Sequence, residues 1–539
     1  MTFIDLPYGI FLPFVFGLYW AFRARSRSQT ATRSPSDRTE QTELATSSGP
    51  LWVLLLTSLF FYALIHIQQL ESFTPARLIA YIALLLLISS FNFGLARFIE
   101  NRIESGAKPQ YAQLSNQEWE EVRQIGRQRS TQLLAFGIAI DVLLLVGFKY
   151  IPFLLDSLAA LWDSPALSQS STWIGDRLIA PLGISFFTFE CIAYLIDVYR
   201  GAPATRNWLQ FTSYKLFFPK LIAGPITRYR TFVAQLPHQS FPDARRLIEG
   251  LWLIACGAFK KAIVADNLGI FVDLCFGNLE RAGSGDLWLA IFAYGLQLYF
   301  DFSGYVDMAR GSALLLGFDL PENFNAPYFA SSIADFWRRW HMTLGDWLRN
   351  YLYFPLGGSR RGLARTCLNL FLIMLIAGIW HGASWGYVVW GILHGIALVV
   401  HRLSEVASKQ INAIATFWRS IPGTILAWLL TQAMVFLSWI FFRLPDFNQA
   451  MLVVQRFWNH AGDVQFAYKV YEEALNLPRF YLVGIVIAIA LCMGVGHLFR
   501  SGFKLQLHGN VKLVLVPLFL YAVWLFAPAG GLQYIYFDF

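Results

Sequence analysis

Charged side chains are scarce in this 539-residue chain. Asp, Glu, Lys and Arg make up 14% of it, where soluble globular chains carry roughly a quarter. That deficit excludes an ordinary water-exposed surface. Cysteine is scarce too. The five present, Cys191, Cys256, Cys275, Cys367 and Cys492, stand singly in or beside apolar runs. With no CxxC and no paired spacing, they read as buried inert thiols rather than a disulfide framework. A cleavable signal peptide is not apparent: Asp5 stands where basic residues belong, and the apolar run 10–22 ends in Arg23, Arg25 and Arg27 without a small-residue cleavage site, which predicts a retained first span. A Gly-rich phosphate loop, a nucleophilic-serine elbow and a dinucleotide fingerprint are also missing.

What is abundant is apolar, at 56% of residues. It falls in runs of about 17–25 residues, the length that crosses a hydrocarbon core of about 30 Å as a helix. Such runs occur near 8–22, 51–67, 78–95, 133–155, 178–198, 251–276, 287–316, 367–380, 385–400, 424–442, 481–499 and 511–527. They predict an all-α, polytopic transmembrane helical protein with about 11–13 membrane segments. Segment 208–228 is interrupted by Pro219, Gly224 and Pro225 and carries Lys215 and Lys220, so it reads as re-entrant or interfacial. The net charge of +8 does not signal a nucleic-acid partner, because Lys and Arg gather at span ends, where they snorkel and set orientation. The partner so implied is the lipid bilayer.

The same basic clusters place a flexible polar loop at 23–48 and a surface helical region at 97–129 on the cytoplasmic side, and both termini outside it. No internal repeat is visible, so residues 1–539 read as a single membrane domain. Its least membrane-like part, 207–402, is where chemistry is expected, since polar groups at membrane depth face a cavity or a partner.

Four clusters stand out there. In 300–311, Asp301 and Tyr305 share one helical face, and Ser303 and Asp307 another. These carboxylates could bind substrate, relay protons or pair with arginines. In 332–344, Ser332 followed by Asp335 marks a helix start, and a continuing helix would line up Trp337, Arg338 and His341, beside Trp340. In 377–386, His381 lies in an apolar stretch next to Trp380 and among Gly378, Gly382 and Gly386. An imidazole titrates near neutrality and suits general-base work on an alcohol. The fourth, 217–226 followed by Arg228, offers Lys220, Pro225 and Arg228 as an entrance for an anionic donor, or merely a proline-shaped elbow. His394 and His401 are seven apart on one face but lack a third ligand, so no metal is expected.

Trp337-Arg338-Arg339-Trp340-His341 followed forty residues on by Trp380-His381-Gly382 resembles the membrane-bound O-acyltransferase (MBOAT) family. The likeness is to its bacterial, alginate O-acetylation protein I-like branch. Residues 181–189, Phe218-Pro219-Lys220 with Gly224-Pro225-Ile226, and Asp301-Phe302-Ser303-Gly304-Tyr305 with Asp307 share it, as does the aromatic ending 533–539, with Asp538 where that branch has glutamine. Many lipid- and protein-modifying relatives have Asn in place of His341, so His there points to cell-envelope polymers. The resemblance implies an O-acyltransferase with His381 as general base and His341 beside it. It also implies an acyl thioester such as acetyl-CoA as donor substrate, with no bound cofactor. Further implications are a polysaccharide acceptor reached through an extracytoplasmic acetyltransferase partner, and residence in the plasma (inner) membrane. D-alanyl transfer to teichoic acid, and a proton-coupled transporter or flippase using Asp301, Asp307 and the histidines, are the rival readings.

Overall fold

A computed structural model describes residues 6–31, 48–69, 74–105, 116–503 and 507–537. Among them every regular element is a helix. Eight helices are long and apolar enough to cross a membrane: Ser48–Ile67, Pro75–Arg102, Gln128–Lys149, Leu363–His381, Trp385–Gln410, Ile421–Arg443, Arg479–Gly502 and Gly509–Phe526. In the last two only 6% of the apolar window is buried. Their leucines, valines and aromatics face outward, which is tolerable in lipid and not in water. This is a multi-pass membrane protein.

The chain divides into two compact units, Met1–Leu251 with Met308–Pro321, and Trp252–Asp307 with Glu322–Phe539. In the first, helix Leu6–Ala31 continues the first apolar run through Arg23, so the segment expected as a polar loop begins as helix. Residues 32–47 of that loop, and 106–115 of the expected surface region 97–129, lie outside the described residues, as do Asp538 and Phe539. Segment 208–228 is broken as its prolines require: helix Trp208–Lys215 spans only 8 residues, roughly 12 Å at 1.5 Å per residue. Turns then follow through Pro219–Pro225.

The second unit is organised by a helical hairpin, Leu363–His381 and Trp385–Gln410. Glycine sets the spacing. A Cβ on Gly378 would lie 2.4 Å from the Tyr387 carbonyl oxygen, and one on Gly391 would lie 2.6 Å from that of Met374. The two backbones touch where His381 is delivered. Helix Ile421–Arg443 packs on the same side, with buried Trp439 and Phe442.

Candidate active site

The first histidine is delivered by a break. Ser332 caps helix Ile333–Arg339 by accepting from the Asp335 amide at 3.1 Å, as its sequence predicts. The helix stops there. Trp340 turns extended, and His341 takes a left-handed conformation with φ of 43° before a new helix, Met342–Leu348. Asn323 clamps this elbow: its carbonyl accepts from the Met342 amide at 2.9 Å. Its side-chain oxygen accepts from the Thr343 amide at 3.0 Å and from the Thr343 hydroxyl at 2.7 Å.

His341 therefore does not continue the face of Trp337 and Arg338, as an unbroken helix would require. Its ring turns inward, fully buried, and burial pushes its pKa down to about 3, so it is neutral at pH 7. Arg338 goes the other way. Its side chain is 68% exposed and pairs with Asp335 at 3.3 Å, so it is not part of the buried site. Trp340 is buried among Phe324, Phe336 and Trp439.

The second histidine arrives at a helix end. His381 is the last residue of Leu363–His381 and is 2% exposed. Aromatic rings surround it: Trp380 at 5.0 Å, Trp390 at 5.1 Å and Phe442 at 5.1 Å between centres. A further ring joins the two sites. Tyr536 lies 6.2 Å from His341 and 6.0 Å from His381, so the imidazole centres are at most 12.2 Å apart. Phe302 stacks on Tyr536 at 3.9 Å and meets His341 edge-on at 4.9 Å. Burial holds the Tyr536 phenol well above its ordinary pKa, hence protonated.

What holds Tyr536 there explains Asp301. One Asp301 oxygen accepts from the Ile535 amide at 3.0 Å, and the other pairs with Lys261 at 2.7 Å. Lys261 also pairs with Asp266 at 2.7 Å, donates to the Gln533 carbonyl at 3.3 Å, and lies 4.5 Å over the Tyr534 ring. The carboxylate thus fastens the C-terminal strand of chain that carries Tyr536 and does not itself point at the histidines. Tyr305 packs on Tyr534 at 5.2 Å, and Ser303 is buried on the same helix. Asp307 pairs with Lys260 at 2.5 Å. The partners of both aspartates are lysines, not arginines.

The remaining candidates belong to the first unit. Lys220 is buried and gives both oxygens of Glu190 a 2.6 Å contact. Its charge is taken up internally, unlike that of an open entrance. The Pro225 carbonyl accepts from the Thr227 hydroxyl at 2.8 Å, and Arg228 is exposed at the start of helix Tyr229–Val233.

Sequence reasoning missed Tyr536, Phe302, Trp390 and His394. The spacing of His394 from His401 suggests only a metal pair, yet His394 accepts from the Trp337 indole at 3.2 Å and meets the Ser438 hydroxyl at 2.9 Å. His401 instead faces Glu405 at 3.6 Å. Among the described residues no cluster of three or more His, Cys, Asp or Glu could hold a metal. The Trp390–His394 spacing of four was the available signal.

Residues 129–442 match the model of the MBOAT, membrane-bound O-acyltransferase family. The chain belongs to that family and is an O-acyltransferase. It is 39% identical over 367 residues to the probable alginate O-acetylase AlgI of Azotobacter vinelandii, covering 67% of this chain and 70% of the relative. To the peptidoglycan O-acetyltransferase of Helicobacter pylori it is 33% identical over 497 residues, 84% of each. To the teichoic acid D-alanyltransferase of Bacillus subtilis it is 29% identical over 261 residues, 46% of this chain and 66% of the relative.

Proposed function

We propose that the chain moves an acetyl group from a cytoplasmic thioester, acetyl-CoA or a comparable acyl thioester, across the plasma membrane for O-acetylation of a cell-envelope or extracellular polysaccharide. The observation that carries this reading is the convergence of His341 and His381 on the Tyr536 ring in a buried pocket of aromatics. The names of the relatives support acetyl as the group, and the longer coverage of the peptidoglycan relative favours it over D-alanine.

In this scheme His381 takes the proton of an acceptor hydroxyl as its oxygen attacks the thioester carbonyl. A C–O bond forms, the C–S bond breaks, and the departing thiolate recovers the proton from the imidazolium. The transient cation would sit at the C-terminal, negative end of helix Leu363–His381, where positive charge is favoured. The indole N–H of Trp380 or Trp390, whose rings flank His381, would donate to the developing oxyanion. His341, neutral in its elbow, orients a reactant. The donor is a substrate, and no resident cofactor enters the scheme. An extracytoplasmic acetyltransferase partner finishes the polymer, and both chain termini face that side. The transporter reading loses its support with family membership.

The test is transfer of labelled acetyl from acetyl-CoA in membranes holding wild type, His381→Ala or His341→Ala. General-base assistance contributes typically about 10²–10⁴-fold, and His381→Ala should lose that much. Undiminished transfer by a folded His381→Ala protein sinks the assignment. Binding of an acyl carrier protein in preference to acetyl-CoA would turn the reading toward D-alanine.

A further inference from the structure

We infer that His394 is a positioning residue, locked as the neutral Nε2–H tautomer, that clamps the two arms of the site through Trp337 and Trp390. The inference rests on the reading that places chemistry at His341 and His381.

The hydrogen bonds fix its direction. The Trp337 indole N–H points at His394 Nδ1 from 3.2 Å. An indole nitrogen only donates, so Nδ1 must carry a lone pair. The single proton of the neutral ring is therefore on Nε2, facing the Ser438 oxygen at 2.9 Å. The Ser438 hydroxyl donates in turn to the Val435 carbonyl at 2.7 Å. The chain runs one way, from Trp337 to His394 to Ser438 to Val435. A proton added at Nδ1 would set N–H against N–H in a side chain that is completely buried. Both ring nitrogens are committed, so His394 is neither a base nor a relay.

Its mechanical reach is larger than its chemistry. Three helices meet at this imidazole: Ile333–Arg339, Trp385–Gln410 and Ile421–Arg443. The first has 7 residues, too few to be stable without outside contacts, and it ends just before the His341 elbow. Trp337 is its hydrogen-bonded tether to the longer helices, beside the packing of Phe336 on His394 and Trp340 on Trp439. On its flank, Trp390 lies 4.6 Å from His394 and 5.1 Å from His381, and Trp337 lies 5.7 Å from Trp390. One residue thus braces the approach to His341 and the wall against His381. Small misplacement of reacting groups can cost on the order of 100-fold in rate.

The experiment uses the full chain in membranes, with labelled acetyl transfer from acetyl-CoA and thermal unfolding measured on each variant. His394→Leu should lower kcat by roughly 10–100-fold with the donor KM unchanged. His394→Asn, whose side-chain oxygen again accepts from Trp337, should recover most of that loss. Trp337→Phe should match His394→Leu, and the double variant should add little, as expected for two ends of one contact. Nitrogen-15 spectra should show His394 neutral with its proton on Nε2 from about pH 5 to pH 8, through the range where an ordinary imidazole titrates.

A His394 that titrates in that window, an Asn variant no better than Leu, or additive losses would each overturn the inference. If His394→Leu does not accumulate as folded protein, Ser438→Ala decides: a partial loss of kcat supports the clamp, and wild-type kcat overturns it. His381→Ala separates the two claims. If it retains transfer, the catalytic reading fails, while the tautomer and the coupled unfolding of Trp337 and His394 variants still report on the clamp.

Discussion

Two buried carboxylate–lysine clusters, one in each unit, look alike in composition and differ in what they hold. In the first unit Glu190 takes Lys220 at 2.6 Å, Lys215 at 3.3 Å and the Thr227 amide at 3.2 Å. Lys215 in turn donates to the Phe187 carbonyl at 2.7 Å. Every connection returns to the surrounding helices and turns. In the second unit Asp301 and Asp266 share Lys261, and the spare bonds go to the backbone at Gln533 and Ile535. That cluster grips a segment whose next residue touches both histidines. A polar residue at membrane depth is costly in either case, and only the destination of its hydrogen bonds separates scaffold from site support.

The sharpest way to break this contrast is to remove each carboxylate. Glu190→Ala leaves two buried ammonium groups without their shared partner. Breaking a buried pair typically costs about 3–5 kcal/mol, so this variant should fail to accumulate as folded protein by detergent-resistant size-exclusion and thermal unfolding. Asp301→Ala leaves Lys261 its contact with Asp266, so the fold should survive with a smaller loss, about 1–3 kcal/mol. Acetyl transfer should nevertheless fall by roughly 10–100-fold as Tyr536 loses its anchor. Equal loss of folding in both variants, or full activity in Asp301→Ala, would erase the distinction.

A smaller effect is expected at the hairpin. Gly378→Ala puts a methyl 2.4 Å from the Tyr387 carbonyl, and such overpacking typically costs about 1–3 kcal/mol. Because Gly378 stands one turn before His381, activity should fall more than the melting temperature suggests. Gly9→Ala, with open space around it, is the control.

A further effect concerns pH. The folded pKa of His341 is lowered from 6.5 to about 3, so the unfolded chain binds a proton there that the native chain refuses. Stability should therefore fall as pH drops below about 6.5, and the loss should level off near 3. His341→Gln should flatten part of that decline in unfolding measured from pH 7 to pH 4. An unchanged slope would show that the imidazole is not held neutral.

Much of this molecule was legible beforehand because lipid enforces a simple code. Long apolar runs became helices, the prolines of 208–228 broke the backbone, and Ser332 capped the helix its spacing announced. Local periodicity failed where distant chain decides. The elbow at His341 depends on Asn323, whose bonds no window around His341 reveals. Tyr536 reaches the histidines because a carboxylate on a far helix holds the Ile535 amide, which leaves no side-chain rhythm to read. Helix Leu6–Ala31 ran past the basic cluster because arginines are good helix formers, so charge alone did not mark its end. For His394 the informative neighbour is Trp390, four residues earlier and 4.6 Å away, rather than the histidine seven residues later.

The inverted backbone sign at position 341 also limits what heredity can try there. Glycine, asparagine, aspartate and histidine are the residues favoured at such an angle, and of these just one carries an imidazole. A replacement that keeps the elbow would therefore favour asparagine over most other side chains.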